Sequence, residues 1–466
     1  MEKVGQQIGI VGLGVMGHNL ALNMVDHGFS VAGYDQDAGR VQSLQLAVKG
    51  ESDPAKFIGL LQVPRTILMM VPSGPPVDAV ILELVPLLEP GDLLIDGGNS
   101  YFKDTNARAR LLTEKDILFL GLGVSGGAHG ARHGPSLMPG GPKSAYDRVS
   151  QIFEFIAAKV NGEPCVTYLG PGSAGHYVKM VHNGIEYALM QLISETYDLM
   201  KRGLGLNDDE LSDVYTRWNQ EELNSYLVEI AGTIFRHLDE KTGNRLIDVI
   251  LDESKQKGTG KWTSQDAMDL QIPVTVIDTA VGIRHLSNLK SEREAASKVL
   301  NGPVTTFQGD RVKFLNQLRN ALYAAMIIAY AQGMAQLRVA SHAYQYSLDL
   351  SEVARIWRGG CIIRAAVLEE IRTAFNVQPN LVNLLVDPYL GQAVVSRQDD
   401  LRAVVRTTAE LGLPMPGLMS ALAYFDSYRS SWLPANLIQA QRDYFGAHTY
   451  ERTDVKGTFH TQWEED

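Results

Sequence analysis

The chain has 466 residues, of which 45% are hydrophobic and 20% are charged. A chain of this length accommodates two or three domains, and its composition is that of an ordinary globular protein. The net charge of −11 argues against a nucleic-acid partner, and no apolar run reaches the roughly 18 residues that a membrane span needs. Because the first residues are polar and contain no secretory signal, we expect a cytoplasmic protein.

Metal ions and disulfide bonds are not expected in this chain. Only two cysteines occur, Cys165 and Cys361, and they lack the CxxC spacing of a redox or metal site. We predict that both are reduced thiols in the core. No group of His, Cys and Asp residues has the spacing of metal ligands, so we expect no metal.

The first 170 residues alternate between strand-like and helix-like segments. The run IGIVGL at 8–13 predicts a strand, residues 16–27 predict a helix, and FSVAGYD, which ends at Asp35, predicts a second strand. Further strands are predicted over residues 66–71, 93–96, 118–121 and 165–169. This alternation is typical of a doubly wound parallel sheet of the Rossmann type.

A GxGxxG motif, Gly12, Gly14 and Gly17, lies between the first strand and the helix. Such glycines permit a tight turn, the approach of a pyrophosphate and close helix–strand packing. With the acidic Asp35 ending the second strand, the motif predicts a dinucleotide site, although a glycine-rich turn without a ligand is the alternative. The residues predicted to contact the cofactor are Gly12, Leu13, Gly14, Val15, Met16, Gly17, Asp35, Gln36, Asp37, Val71, Pro72, Ser73 and Asn99.

From residue 173 to about residue 435 the pattern is helical, and residues 175–201 predict one long helix. A weak internal repeat runs through this region, because LSDV and Trp218 match LSEV and Trp357 at one constant offset. Upstream, NGIEYALMQL from Asn183 loosely parallels NALYAAMIIA from Asn320. The repeat predicts a duplicated helical scaffold, with chance similarity between amphipathic helices as the alternative. The residues after about 436 predict an extended tail.

One face of the helix predicted over 175–201 is polar. Its side chains recur every three or four residues, which places them on a single stripe: Lys179, His182, Asn183, Glu186 and Tyr187. A solvated helix with an ion pair would also carry a lysine and a glutamate. The additional histidine, asparagine and tyrosine favour an active site instead.

The lysine and the glutamate of this stripe suit acid–base chemistry on an alcohol. Hydride transfer from an alcohol needs a base for the hydroxyl proton, and a lysine serves only when it is neutral. Burial and nearby cations lower the pKa of a lysine, and a carboxyl on the next turns can supply another proton. In the second copy of the repeat, Asn316 and Tyr323 replace Lys179 and Glu186, so that copy keeps the scaffold without these groups.

Five motifs extend over most of the chain: LIDGGNS (94–100), GVSGGAHGARHGPSLMPGG (123–141), GHYVKMVHNGIEY (175–187), KGTGKWT (257–263) and QAQRDYFGAHTYE (439–451). Together they resemble the motifs of the 6-phosphogluconate dehydrogenase family. The resemblance covers nearly the whole chain. It implies a coenzyme domain, a large duplicated all-α domain, and a tail that reaches into the partner subunit of a homodimer.

The resemblance also implies individual roles. Lys179 would be the general base that takes the proton of the substrate's 3-hydroxyl, and Glu186 the general acid that protonates C1 of the product after carbon dioxide is lost. The product would be ribulose 5-phosphate. The carboxylate and hydroxyls of the substrate would be held by Asn99, Ser125, Gly126, Gly127, His182 and Asn183, its phosphate by Tyr187, Lys257, Thr259 and Arg284, and Arg442 and His448 would arrive from the other subunit.

The chemistry of two motifs agrees with these roles. The turn at Ser125 offers backbone N–H groups to an anion, and KGTGK offers cations and flexible backbone to a phosphate. Either segment alone would also be compatible with a plain surface loop.

Two positions depart from the family's pattern. Ala128 and His129 stand where the family usually has two glutamates, one of which lies near the nicotinamide. After the second strand most members carry an Asn-Arg-Ser/Thr stretch whose arginine holds the 2′-phosphate of NADP, whereas this chain has Asp-Gln-Asp at 35–37. We therefore predict NAD as the preferred cofactor and NADP as a weaker alternative. Arg40, one helical turn further on, could instead swing back to hold the phosphate.

These observations predict three parts: a dinucleotide-binding α/β domain (1–174), an all-helical substrate and dimerisation domain (175–435) and a tail (436–466). The expected activity is that of an NAD-preferring, decarboxylating dehydrogenase of 6-phosphogluconate. A β-hydroxyacid dehydrogenase acting on another sugar acid is the alternative, but such enzymes lack KGTGK, the duplicated domain and the tail. A non-catalytic dinucleotide sensor would be expected to have lost Lys179 or Glu186, and both are present.

Overall fold

The computed structural model describes residues 5–44, 48–303 and 305–463. The chain divides into two compact units, one ending at Ala421 and the other beginning at Leu422. None of the helices in the described part is long and apolar enough to cross a membrane.

The N-terminal part of the larger unit contains seven strands: β1 (Ile8–Val11), β2 (Val31–Tyr34), β3 (Val48–Glu51), β4 (Thr66–Met69), β5 (Leu93–Asp96), β6 (Leu118–Ser125) and β7 (Ser136–Gly140). They form one sheet in the order β3-β2-β1-β4-β5-β6-β7. The first six are parallel, and β7 pairs antiparallel to β6. Strands β1, β2, β4 and β5 are buried along their whole length, as expected of a parallel sheet covered on both faces.

Six helices connect these strands, and a seventh follows β7: α1 (Val15–Asp26), α2 (Ala38–Gln42), α3 (Pro54–Gly59), α4 (Pro75–Leu84), α5 (Phe102–Thr113), α6 (Gly127–His133) and, after β7, α7 (Lys143–Ile156). Apolar side chains of α1 and α7 pack on one face of the sheet, and those of α3, α4 and α5 pack on the other. The predicted α/β class with a Rossmann-type sheet is confirmed.

Three details of the predicted sheet are corrected by the structure. Strands β3 and β7 were not predicted, and the antiparallel β7 makes the sheet mixed rather than wholly parallel. Residues 165–169 are not a strand, because a single bridge from Val166 to Leu137 joins them to the sheet. Their apolar character reflects burial of Cys165, Val166 and Leu169 in the core rather than a ladder of hydrogen bonds. A short hairpin of β8 (Lys159–Val160) and β9 (Glu163–Pro164) precedes them.

The second part of the larger unit is helical, as predicted. Its helices are α8 (Ala174–Asp198), α9 (Asp208–Trp218), α10 (Tyr226–Ile234), α11 (Thr259–Asp269), α12 (Thr275–Ser287), α13 (Lys290–Ala296), α14 (Arg311–Ala343), α15 (Leu350–Trp357), α16 (Val367–Val377), α17 (Pro388–Val395) and α18 (Gln398–Leu411). The next helix, α19 (Pro416–Tyr428), begins in the larger unit and ends in the smaller one. The long helix predicted over 175–201 is present as α8, which continues into a π-helical turn, Leu199–Gly203. Helices α8 and α14 pack against each other.

The order of elements fits the predicted duplication, because α8 and α14 are each followed by a short helix that ends at a buried tryptophan. The segments after these tryptophans pair with each other. The Tyr226 N–H donates to the Arg364 carbonyl at 3.0 Å, and the Ala366 N–H donates to the Asn224 carbonyl at 2.8 Å. These two bonds form an isolated antiparallel bridge between Ser225 and Ala365.

The smaller unit, from residue 422 on, contains α20 (Ala435–Gly446) and a two-stranded hairpin of β10 (Tyr450–Glu451) and β11 (Thr458–Phe459). The prediction of an extended tail was therefore wrong. The carboxylate of Asp443 is fully buried and accepts hydrogen bonds from the backbone of Thr449 and Thr461 and from the indole of Trp463. These bonds tie the segment after α20 back onto that helix, together with a hydrogen bond from Gln439 Nε2 to the Thr449 carbonyl.

Candidate active site

Lys179 lies on α8 where the helix crosses β6. A Cβ at Gly123 of β6 would come within 2.5 Å of the Lys179 Cβ, so the missing side chain lets the lysine pass close to the strand. Lys179 is 4% exposed. Its ammonium donates to Asn183 Oδ1 at 2.8 Å and lies 3.3 Å from His182 Nδ1. Burial lowers the pKa of Lys179, which favours the neutral amine over the ammonium ion.

His182 connects the lysine to the end of β6. Its Nε2 lies 3.4 Å from Ser125 Oγ, and its Nδ1 lies 3.0 Å from Asn183 Oδ1. Burial, reinforced by the charge of Lys179, lowers the pKa of His182 well below its usual value. The ring is therefore neutral, and its 3.8 Å contact with Glu186 is not an ion pair.

Glu186 occupies the next turn of α8 beyond His182. Burial raises its pKa, while the positive charges of Lys179 and Arg284 act in the opposite direction. The lysine is thus shifted toward its neutral form and the carboxyl toward its protonated form. A base and an acid tuned toward the same pH range on one helix face are characteristic of a site that moves protons.

Two loops from the sheet complete this end of the site. Ser125 ends β6, Gly126 adopts a left-handed conformation with φ of 118°, and α6 begins at Gly127. Asn99 follows β5 with φ of 54°. Its amide holds the main chain of Val124, accepting from the N–H at 2.9 Å and donating to the carbonyl at 3.2 Å. The structure therefore brings the residues predicted to hold the carboxylate and hydroxyls next to Lys179.

The residues predicted to hold the phosphate gather further along α8. Asn183 Nδ2 donates to Thr259 Oγ1, at the start of α11, at 2.9 Å. The guanidinium of Arg284, on α12, stacks on the Tyr187 ring at 3.5 Å. Lys257 is exposed two residues before α11. Because cations and hydroxyls recognise phosphate oxygens, this end of the site suits a phosphoryl group.

The remaining predicted substrate residues lie in the smaller unit. Arg442 is on α20, where its guanidinium donates to Gln439 Oε1 at 3.1 Å. His448 follows the helix, and its ring contacts Phe445. Their predicted role stays a prediction.

The glycine loop between β1 and α1 fits a dinucleotide. Gly12 has φ of 90°, and a Cβ at Gly17 would lie 1.9 Å from the Gly12 carbonyl, so the fold itself requires these two glycines. At Gly14 a Cβ would meet nothing within 4 Å. This open space, at the N-terminus of α1, is where a pyrophosphate would approach the backbone. Leu13 and Met16 belong to the core side of the loop, whereas Val15 is exposed.

Asp35 lies at the end of β2 beside this loop. Its carboxylate accepts hydrogen bonds from the N–H groups of Leu13 at 2.8 Å and Asp37 at 2.9 Å, and Arg40 Nη1 lies 3.3 Å away. The Asp37 carboxylate caps α2 by accepting from the Gly39 N–H. The Arg40 side chain is 55% exposed, so its ion pair with Asp35 is weak.

The other predicted cofactor residues surround this loop. Gln36 is exposed between the two aspartates, and Val71, Pro72 and Ser73 follow β4. The ends of parallel strands β1, β2, β4 and β5 meet at one edge of the sheet, which is where ligands bind in such folds.

Three groups near Lys179 were missed by the sequence analysis. The His182 ring packs against Trp357 at 5.6 Å, the carbonyl of Gly360 lies 2.6 Å from where a Cβ on Gly126 would be, and burial raises the pKa of the Cys361 thiol to about 12, so it stays neutral. All three come from the second copy of the repeat. The matching tryptophans predicted the duplicated scaffold, but no local sequence pattern predicted that the segment from Trp357 to Cys361 packs against the site.

Comparison with known proteins covers nearly the whole chain. Residues 7–170 match the family described as the NAD binding domain of 6-phosphogluconate dehydrogenase, and residues 175–463 match its C-terminal domain. An NADP(+)-dependent, decarboxylating 6-phosphogluconate dehydrogenase of Bacillus subtilis is 52% identical over 98% of this chain and 99% of its own. A decarboxylating 6-phosphogluconate dehydrogenase of Staphylococcus aureus is 51% identical over 99% of this chain and all of its own.

A solved structure shows the same likeness in three dimensions. The 6-phosphogluconate dehydrogenase of Plasmodium falciparum, studied without ligands, with its cofactor NADP+ and with its substrate 6-phosphogluconate, has 43% identity and a TM-score of 0.94. The superposition covers 98% of this chain and 100% of that one.

Proposed function

Since the chain belongs to the 6-phosphogluconate dehydrogenase family, we propose that it oxidises and decarboxylates 6-phospho-D-gluconate to D-ribulose 5-phosphate and carbon dioxide. The observation that carries the proposal is the pairing on α8 of a buried lysine whose pKa is lowered with a partly buried glutamate whose pKa is raised. Relatives that this chain matches over nearly their whole length are named decarboxylating 6-phosphogluconate dehydrogenases. Their names support 6-phosphogluconate as the substrate.

Lys179 acts first, as the general base. In its neutral form the amine takes the proton of the substrate's 3-hydroxyl while hydride leaves C3. A nicotinamide held at the edge of the sheet supplies the hydride acceptor. Asn183 accepts from the Lys179 ammonium at 2.8 Å and so keeps the amine aimed in one direction.

Decarboxylation follows from the oxidation. The new ketone lies β to the carboxylate, so the electrons of the breaking C–C bond move onto the ketone oxygen, which the nearby Lys179 ammonium stabilises. The enediol left after loss of carbon dioxide needs a proton at the carbon that was C2 of the substrate and becomes C1 of ribulose 5-phosphate. Glu186 donates it, because its raised pKa keeps the carboxyl protonated to higher pH than usual.

Substrate selection comes from the two ends of the site. Ser125, Asn99 and the turn at Gly126 receive the carboxylate and hydroxyls, and Arg284 with Thr259 receives the phosphate. The competing proposal is a β-hydroxyacid dehydrogenase acting on another sugar acid. The stacked Arg284 on Tyr187 favours the phosphorylated substrate, since an unphosphorylated acid would leave this cation without an anionic partner.

We also propose that NAD is the preferred cofactor. Two backbone N–H groups hold the Asp35 carboxylate beside the glycine loop. An acidic residue at this point of the fold accepts hydrogen bonds from the ribose hydroxyls of NAD. A 2′-phosphate at that position would meet a carboxylate. The Bacillus subtilis relative is named NADP(+)-dependent, so we propose that this chain differs from that relative in its preferred cofactor.

A homodimer would complete each site in this proposal. The tail of one subunit would bring Arg442 and His448 to the phosphate of the substrate bound by the other. An arginine suits this task because its planar fork binds two phosphate oxygens at once. The three-part division at residues 174 and 435 belongs to the same proposal.

The test is a spectrophotometric assay of nicotinamide reduction with 6-phosphogluconate and with gluconate as its unphosphorylated control. We expect turnover with 6-phosphogluconate, ribulose 5-phosphate as the product, and a much higher KM for gluconate. Equal kcat/KM for the two acids would contradict the assignment of the phosphate end and favour the competing proposal.

A further inference from the structure

Arg108, on α5, is a buried cation that lies outside the predicted site. It is 5% exposed, and each of its five N–H groups makes a hydrogen bond. Nε and Nη2 donate to the two carboxylate oxygens of Asp78 at 2.6 and 3.1 Å, and Nη2 also donates to the Gly74 carbonyl at 3.1 Å. Nη1 donates to Ser100 Oγ at 2.9 Å and to Asp96 Oδ2 at 3.3 Å.

The partners of Arg108 belong to two different loops. Gly74 and Asp78 follow directly after residues 71–73, which are proposed to contact the cofactor, at the start of α4. Asp96 and Ser100 bracket the turn that carries Asn99, which is proposed to contact the substrate. One guanidinium therefore connects the loop after β4 to the turn after β5.

The turn after β5 is built around Asp96, one of the partners of the Arg108 guanidinium. Asp96 is fully buried, and its carboxylate accepts from the Gly98 N–H at 2.9 Å and from Ser100 Oγ at 2.7 Å. These bonds shape the turn in which Asn99 has a positive φ. The two loops also touch, since a Cβ at Gly98 would lie 2.6 Å from the Val71 carbonyl. A shift of either loop would move the other.

We propose that Arg108 is a positioning residue that fixes the cofactor loop and the Asn99 turn in one relative geometry for hydride transfer. This inference rests on the proposed function. Arg108 acts through its partners and touches neither ligand. Its planar fork is essential, because a lysine would keep the charge but could not make bonds to both loops in fixed directions. A misplacement of about 1 Å in reacting groups can cost roughly 10²-fold in rate.

The experiment compares Arg108→Lys with Arg110→Lys, the same change at an exposed position of the same helix. We expect Arg108→Lys to lower kcat by roughly 10- to 100-fold and to increase the isotope effect for 6-phosphogluconate deuterated at C3, because hydride transfer becomes slower than the other steps. Titration calorimetry should show several-fold weaker binding of NADH. Arg110→Lys should match the wild type in all three measurements.

A second variant guards against a failure of Arg108→Lys to fold. Asp78 has a half-exposed side chain, so Asp78→Asn removes the bidentate partner with little risk to the core, and we expect the same changes in smaller measure. Folded variants with the kcat, isotope effect and NADH affinity of the wild type would overturn the inference. A lower kcat with an unchanged isotope effect and affinity would do so too, since it would report only fewer folded molecules. A wild-type protein inactive on 6-phosphogluconate would instead refute the proposed function.

Discussion

The preference for NAD can be reversed at the end of β2. The change is Asp35→Asn combined with Gln36→Arg, which removes the carboxylate beside the glycine loop and adds a cation next to it. Two unit charges about 4 Å apart repel by roughly 4 kcal/mol at an effective dielectric constant near 20. Screening by solvent ions and the Arg40 guanidinium, 3.3 Å from the Asp35 carboxylate, reduce this repulsion between the carboxylate and a 2′-phosphate. About 2.7 kcal/mol would correspond to a preference on the order of 100-fold.

The assay is kcat/KM for NAD and NADP at saturating 6-phosphogluconate. We expect the wild type to favour NAD and the double variant to shift strongly toward NADP. Asp37→Asn is the matched control, because it removes an equal charge from an exposed helix cap and should shift the ratio much less. A wild-type ratio near one, or one that favours NADP, would refute the reasoning.

The role of Arg40 can be separated from that of Asp35. Because its side chain is 55% exposed, breaking its ion pair would cost about 1 kcal/mol or less, and it could turn toward a 2′-phosphate. If it does so, Arg40→Gln should weaken NADP selectively. We expect no such selective loss.

The other predictions concern the proton-transfer groups and the tail. Lys179→Ala should lose hydride transfer while it still binds substrate; retention of more than about a tenth of wild-type turnover would disprove its role as the base. Glu186→Gln should slow turnover by about 10²–10⁴-fold. Wild-type kcat should fall at low pH as Lys179 gains a proton and at high pH as Glu186 loses one, and Glu186→Gln should lack the alkaline fall. Truncation before Asn436 should raise KM severely and weaken the dimer in ultracentrifugation, whereas near-normal kinetics would exclude a role for the tail.

Much of the architecture follows from local sequence signals. The glycine motif and the polar stripe on α8 have strict spacings. The loop after β1 and the cluster from Lys179 to Tyr187 could therefore be predicted, together with the strand and helices that carry them. Signals of this kind depend on neighbours within one or two helical turns. They therefore identify elements more securely than they identify pairing partners.

The features that were missed depend on tertiary contacts. Strand β7 is five residues long and contains a proline, and it becomes a strand because β6 offers it a partner. The helix in the tail is tied to the segment after it largely by the buried carboxylate of Asp443, whose partners lie up to 20 residues away. The Trp357 and Cys361 side chains reach the site only because the second copy of the repeat folds against the first. No periodic pattern encodes such contacts.

The most direct test of the account is the stoichiometry of the reaction. The purified protein is incubated with NAD and 6-phosphogluconate labelled at C1, and reduced nicotinamide and labelled carbon dioxide are measured together. We predict one carbon dioxide for each nicotinamide reduced, with the two appearing at the same steady rate. Reduction of nicotinamide without release of the label would contradict the account, because the site would then oxidise its substrate without decarboxylating it.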